Sequence, residues 1–253
     1  MSENDAERDR DRGIKIKMTP TQRIENFWYH YKWHTVVALF LIAVIIICSI
    51  QCGTKEKYDI YIAYAGSREV KMTAADGDKS EYEELLTSLR AVAPDENGDC
   101  RTSVSLRTLW LLTQAEQTAL AEKLREEGKG EEINYTLLRE NSEVYQNSIL
   151  LGDYYLWFMS ESLYLENREQ GGSPLFADLR EYVGGAEVTY LDSSAVYLSS
   201  TAFGRLPGLS SMPEGTVICL RRRSESPFGG NKKTAESYYR ASEDTLRAIF
   251  SYS

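Results

Sequence analysis

The sequence predicts an α/β protein: one N-terminal transmembrane helix followed by a single, mostly parallel α/β domain. Three observations carry this prediction. From Thr35 to Ile50 no residue is charged. Beyond that run, segments rich in β-branched and aromatic residues alternate with amphipathic segments of helical period, the pattern of a parallel sheet. No repeat and no second change of composition interrupts the roughly 200 residues that follow, enough for one domain with its own core.

With Trp33, His34, Gln51 and Cys52 as its ends, the apolar run is about 20 residues, or ~30 Å as a helix, the thickness of bilayer hydrocarbon. Its many β-branched residues would suit a strand, but an isolated strand leaves its backbone unpaired in lipid and a helix does not. The run exceeds a signal-peptide core of ~7–15 residues and begins late, so it reads as an anchor rather than a cleaved leader. Arg12, Lys15, Lys17, Arg23 and Lys32 precede it closely, and only Lys55 and Lys57 follow closely. The positive-inside rule then predicts a cytoplasmic N-terminus and a C-terminal domain outside the cell membrane. Residues 1–20 read as a disordered cytoplasmic arm, 21–52 as an interfacial and transmembrane helix capped by Thr21, 53–57 as a linker and 58–253 as the extracellular domain. Phe27, Trp28, Tyr29, Tyr31 and Trp33 form an aromatic belt suited to the headgroup zone. His30 and His34 share a helical face, but only Glu25 is near as a third ligand, so no metal site is expected.

The domain opens with YDIYIAYAGS, a strand over residues 58–65 ended by Gly66-Ser67. Residues 80–92 read as a helix with Leu85, Leu86 and Leu89 on one stripe. A turn-rich connection leads to a strand within 102–112. Thr113-Gln114-Ala115-Glu116 is a capping-box pattern for a helix that runs to about Glu127 and stops at Gly128. Residues 133–138 are ambiguous, and 141–151 read as helical. YYLWFM is a continuous apolar strand of the kind buried on both faces, and Ser160 is placed to cap a helix over 161–168. Leu175, Phe176, Leu179 and Val183 pack back on the core. Short strands over 187–191 and 195–199, an irregular stretch, a strand over 216–220 and a final helix over 234–252 complete the chain.

Composition narrows the chemistry. The chain has 29 basic and 38 acidic residues, net −9. With a nearly balanced arm, the excess acid falls on the outer domain, a poor surface for nucleic acid. Both histidines lie before the domain, which removes Ser-His-Asp and Cys-His catalysis and histidine zinc sites from it. No nucleophile-elbow, phosphate-loop or dinucleotide fingerprint occurs. No enzyme activity and no cofactor are expected. Cys100 and Cys219 are the cysteines outside the membrane segment; two separate thiols are expected, with Cys219 buried in a strand.

The block ILLGDYYLWFMSESLYLENREQGGSPLFADLREYV resembles the central segment of type 2 extracellular solute-binding proteins, the periplasmic-binding-protein-like class. A helix ends at Gly-Asp, an apolar strand and a short helix follow, then Gly, Pro-Leu and a further Leu. The opening strand and the closing YYRASEDTLRAIF helix are similar in placement. The segment TPTQRIENFWYHYKWHT resembles the juxtamembrane start of small membrane proteins of Gram-positive-type bacteria. The resemblance implies a type 2 solute-binding-like domain, reduced because about 200 residues is short for two lobes.

In a parallel sheet, ligands bind beyond the carboxyl ends of the strands. Candidate ligand-binding residues there are Gly66, Ser67 and Arg68 after the first strand, Ser160 and Glu161 after the central one, and Ser200, Thr201 and Gly204 after a later one. Tyrosine is abundant, 17 in the chain, and suits a protein interface. The leading expectation is a non-enzymatic, membrane-anchored binding domain that contacts an envelope protein or other envelope component; the alternative is a sensor or capture domain for a small polar ligand. A polar cleft joining Ser67, Ser160 and Thr201 would favour the second, and a filled cleft with a tyrosine patch the first.

Overall fold

The structure, a computed structural model, describes residues 19–53, 58–73, 79–96, 98–128, 133–151, 154–170, 172–223 and 232–253. The arm before residue 19, the link at 54–57 and the charged loop at 224–231 lie outside the described residues. In chain order the elements are α1 (Pro20–Gly53), β1 (Ile60–Gly66), α2 (Glu81–Arg90), β2 (Val104–Trp110), α3 (Gln114–Glu126), α4 (Tyr135–Leu151), β3 (Leu156–Ser160), α5 (Glu161–Asn167), the short β4 (Glu169–Gln170) and β5 (Ser173–Pro174), α6 (Arg180–Val183), β6 (Tyr190–Asp192), β7 (Ala195–Tyr197), β8 (Thr216–Leu220) and α7 (Lys232–Ser251). Contacts divide the chain into two units, Met1–Glu56 and Lys57–Ser253.

In the first unit, α1 starts at Pro20, two residues before the Gln22 start that the sequence predicts. Thr19, not Thr21, caps it: Thr19 Oγ1 accepts from the Gln22 amide at 3.4 Å and Gln22 Oε1 accepts from the Thr19 amide at 3.1 Å. Pro20 then occupies the first helical position, where its missing N–H costs nothing. The segment Phe27–Ser49 is long and apolar enough to cross a bilayer. Its apolar side chains from Val36 to Ile47 are exposed. Phe27 stacks on Tyr31 at 5.2 Å.

In the second unit, strand alternation sorts the core into two layers on opposite faces of one sheet. Ile60, Ile62, Tyr64, Val104, Leu106, Leu156, Phe158, Val196, Ile218 and Leu220 point to one layer, closed by Leu85 and Leu89 of α2 and by Leu246, Ile249 and Phe250 of α7. Ala63, Ala65, Leu109, Trp157, Met159, Ala195, Val217 and Cys219 point to the other, closed by Tyr145 and Ile149 of α4 and by Leu163 and Tyr164 of α5.

The sheet has the order β2-β1-β3-β8-β7-β6. β1 pairs parallel with β2 and with β3. β3 with β8, β8 with β7 and β7 with β6 are antiparallel. The sheet is therefore mixed, where the sequence predicts a mostly parallel one. For the β6–β7 pair the reason is local. β6 and β7 are joined by a tight turn in which the Ser194 amide donates to Asp192 Oδ1 at 2.8 Å, and a turn that short cannot return a parallel strand. Helix α4 also begins at Tyr135 rather than Asn141, because Asn134 Oδ1 accepts the Leu137 amide at 3.0 Å and caps the earlier turn.

The capping box read from Thr113 to Glu116 is present and does more than start α3. The Glu116 carboxylate accepts from the Thr113 amide at 2.7 Å and from Ser162 Oγ at 2.9 Å, so one side chain joins the start of α3 to α5. Glu116→Ala removes a cap and a charged hydrogen bond together, and is expected to lower the unfolding free energy by about 1–3 kcal/mol. Urea unfolding of the full chain in detergent micelles measures it; a loss below about 0.3 kcal/mol would show that this link carries no load.

Candidate functional site

The carboxyl edge of the sheet gathers all the residues singled out for ligand binding. β7 runs in the direction of β1 and β3, since both it and β3 are antiparallel to β8. Gly66, Ser160 and the turn after Tyr197 therefore share one edge. The strand order also reverses at β1, with β2 on one side and β3 on the other, which is where open α/β sheets hold ligands.

The structure nevertheless commits most of these groups to the fold. The Ser67 carbonyl accepts from Trp110 Nε1 at 3.0 Å. Arg68 pairs with Glu81 at 2.8 Å. Ser160 precedes α5 without a side-chain capping bond, and its hydroxyl meets Ser162 Oγ at 3.2 Å. Thr201 is buried; its Oγ1 donates to the Leu198 carbonyl at 2.7 Å and accepts from the Gly204 amide at 3.0 Å. A Cβ on Gly204 would stand 2.2 Å from that same carbonyl, so Gly204 is there for close backbone approach. Glu161 and Ser200 are the two that share an open depression of about 560 Å³, with Tyr197 and Glu214. In it Glu161 Oε2 accepts from the Tyr197 hydroxyl at 3.0 Å.

Tyr64, absent from that set, also reaches this edge. Its ring folds over Gly66, where an added Cβ would fall 2.6 Å from the phenol oxygen. Tyr64 is 1 % exposed, and among the described residues no group meets its hydroxyl in hydrogen-bonding geometry. Burial is the main cause that pushes the phenol up to about 12; the Arg68 backbone and guanidinium stand near enough to hold it back, but outside hydrogen-bonding geometry.

The second candidate site lies on the α4 face, towards the amino ends of β1 and β3. A cavity of about 540 Å³ opens between Tyr61 of β1, Arg107 of β2, Tyr154, Tyr238 of α7, and Asn147 and Ser148 of α4. The rings lock edge to face: Tyr61 is 4.7 Å from Tyr238, 5.8 Å from Tyr154 and 5.7 Å from Tyr58. Burial and the Tyr238 hydroxyl raise the Tyr61 phenol well above its ordinary range. Arg107 Nε donates to the Tyr154 hydroxyl at 3.0 Å, and its guanidinium carbon lies 5.5 Å from the centre of that ring. No local sequence signal marked this site: Arg107 is the exposed position of β2, between the buried Leu106 and the half-buried Thr108, where a charged strand residue is ordinary.

Cys100 and Cys219 are free thiols, the first exposed and the second buried. Among the described residues, no cluster of His, Cys, Asp and Glu could hold a metal.

For a phenol raised from about 10 to about 12, the folded state holds its proton while the unfolded state gives it up. The stability that Tyr64 contributes is complete below about pH 10 and is lost as pH rises towards 12. Tyr64→Phe removes an unpaired buried hydroxyl. It is expected to leave stability unchanged or raise it by up to about 1 kcal/mol at neutral pH, and to flatten the alkaline loss. Urea unfolding at neutral and alkaline pH checks both; a large loss at neutral pH would mean that the hydroxyl has a partner.

Comparison with protein-family models, with curated proteins and with solved structures finds no match for this chain.

Proposed function

We propose that the chain is a non-enzymatic, single-pass membrane protein whose C-terminal domain stands outside the cell and binds a partner protein or envelope component through the tyrosine-lined cavity. The observation that carries this is the cavity itself. Three tyrosine rings and one guanidinium, from β1, β2, α7 and the segment before β3, meet around about 540 Å³ of open space, a size typical of binding pockets, ~300–1,000 Å³. Tyrosine and arginine are the side chains that dominate interfaces, being large and rigid for their conformational cost.

Membrane attachment rests on the exposed apolar length of Phe27–Ser49, and the outward placement of the domain rests on the basic residues that precede the helix. The type 2 solute-binding-like reading is supported by the parallel half of the sheet, with β1 as its opening strand and α7 as the closing helix. That Lys57–Ser253 forms one unit supports a reduced version of that class. The alternative, capture of a small polar ligand, draws on the depression that holds Glu161, Tyr197 and Ser200.

A photo-reactive benzoylphenylalanine at Asn147, in the full chain in its native membrane, is expected to give a discrete adduct. Tyr238→Ala should abolish it, and the same probe at the exposed Glu122 of α3 should give none. Equal adducts from both positions would remove the cavity as the contact site.

A further inference from the structure

Arg107 gives the tyrosine cavity a charge preference. It is the one charged residue on that wall among the described residues, and among them it forms no ion pair. The chain as a whole is strongly acidic, net −9, so a cation that forms no ion pair among the described residues stands out against its background. One of its donors is engaged. With Nε held by the Tyr154 hydroxyl at 3.0 Å, the two terminal nitrogens form the remaining fork, the planar donor pair that matches a carboxylate in bidentate fashion.

The other walls set limits on the guest. Val144, Asn147 and Ser148 come from the C-terminal half of α4, the end at which the helix dipole is negative. One guanidinium facing that end suits a single negative charge better than a doubly charged phosphate. The rings of Tyr61, Tyr154 and Tyr238 provide apolar surface for a group of ring size. The Ser148 hydroxyl is already bonded to the Val144 carbonyl at 2.8 Å, so of the α4 side chains on this wall the exposed Asn147 amide is the one placed to pair with a peptide group.

We infer that the cavity holds a carboxylate carried next to an aromatic or large apolar side chain, presented by a peptide segment of a partner protein. This rests on the reading of the cavity as the contact site. The carboxylate takes the Arg107 fork, the ring sits among the three tyrosines, and Asn147 reads the adjoining amide. A carboxylate on a free small molecule has the same chemistry but no backbone amide for Asn147.

The test uses the full chain in detergent micelles with three probes observed by saturation-transfer NMR: N-acetylphenylalanine, its neutral amide, and phenyl phosphate. The acid is expected to bind at least about tenfold more tightly than the amide and more tightly than the phosphate. Arg107→Gln should bring acid and amide within about twofold of each other, and Arg107→Lys, which keeps the charge and loses the fork, should fall between. Asn147→Leu should weaken N-acetylphenylalanine and leave 3-phenylpropionate, which has no amide, unchanged. Acid and amide bound equally by the native chain, or a preference that survives Arg107→Gln, would overturn the inference, as would tighter binding of the phosphate. If these fail while the Asn147 adduct persists, the cavity remains the contact site and only its ligand class is wrong; loss of the adduct removes the site as well.

Discussion

A strand with no exposed face must be paired along both edges, and β3 imposes that condition on the C-terminal unit. Leu156 to Ser160 are all buried, so every peptide group between them is cut off from water and needs a partner in the protein. β1 supplies one edge and β8 the other. Trp157, fully buried, places its one polar atom on the Tyr154 carbonyl at 2.9 Å. Because successive side chains of β3 point to opposite faces, both faces need a helical cover, and the two-layered core follows. Side chains such as Trp157 and Met159 each contribute about 1.5–3 kcal/mol on burial.

Much of this order was legible because the relevant signals are short in range. The buried strand announces itself as LWFM with no polar interruption, and Thr216–Leu220 likewise. Ser80 and Thr113 start their helices with the same reciprocal box of bonds to a glutamate three residues on. What escaped was also local, but two readings competed. Thr19 and Thr21 flank one proline and either could cap. Asn134 and Asn141 could each begin α4, and the earlier one prevails through a single side-chain bond. The antiparallel half of the sheet was hidden for another reason: a strand's direction depends on how the connection returns, and the stretch before β8 has no helical period to reveal it.

The candidate sites show a similar division. The rule that ligands sit at strand carboxyl ends points to eight residues along one edge, but a rule about edges cannot see that Thr201 and Gly204 are spent on closing a turn around the Leu198 carbonyl. The tyrosine cavity was out of reach for the opposite reason. Tyr61, Arg107, Asn147 and Tyr238 are spread across most of the domain's sequence, and only packing brings them together. None of the four carried a local hint; Arg107 itself stands at an exposed position of β2.

Tyr61 belongs to the first strand of the domain and Tyr238 to its last helix. Tyr61 borders one core layer and Tyr238 the other, so their contact works as a clasp between the two ends of the fold. Terminal helices are where folded chains fray most cheaply. Any guest wedged against both rings raises the free energy of that opening with the logarithm of its concentration relative to its dissociation constant, so occupancy at the wall of β1 is felt as slower amide exchange along α7.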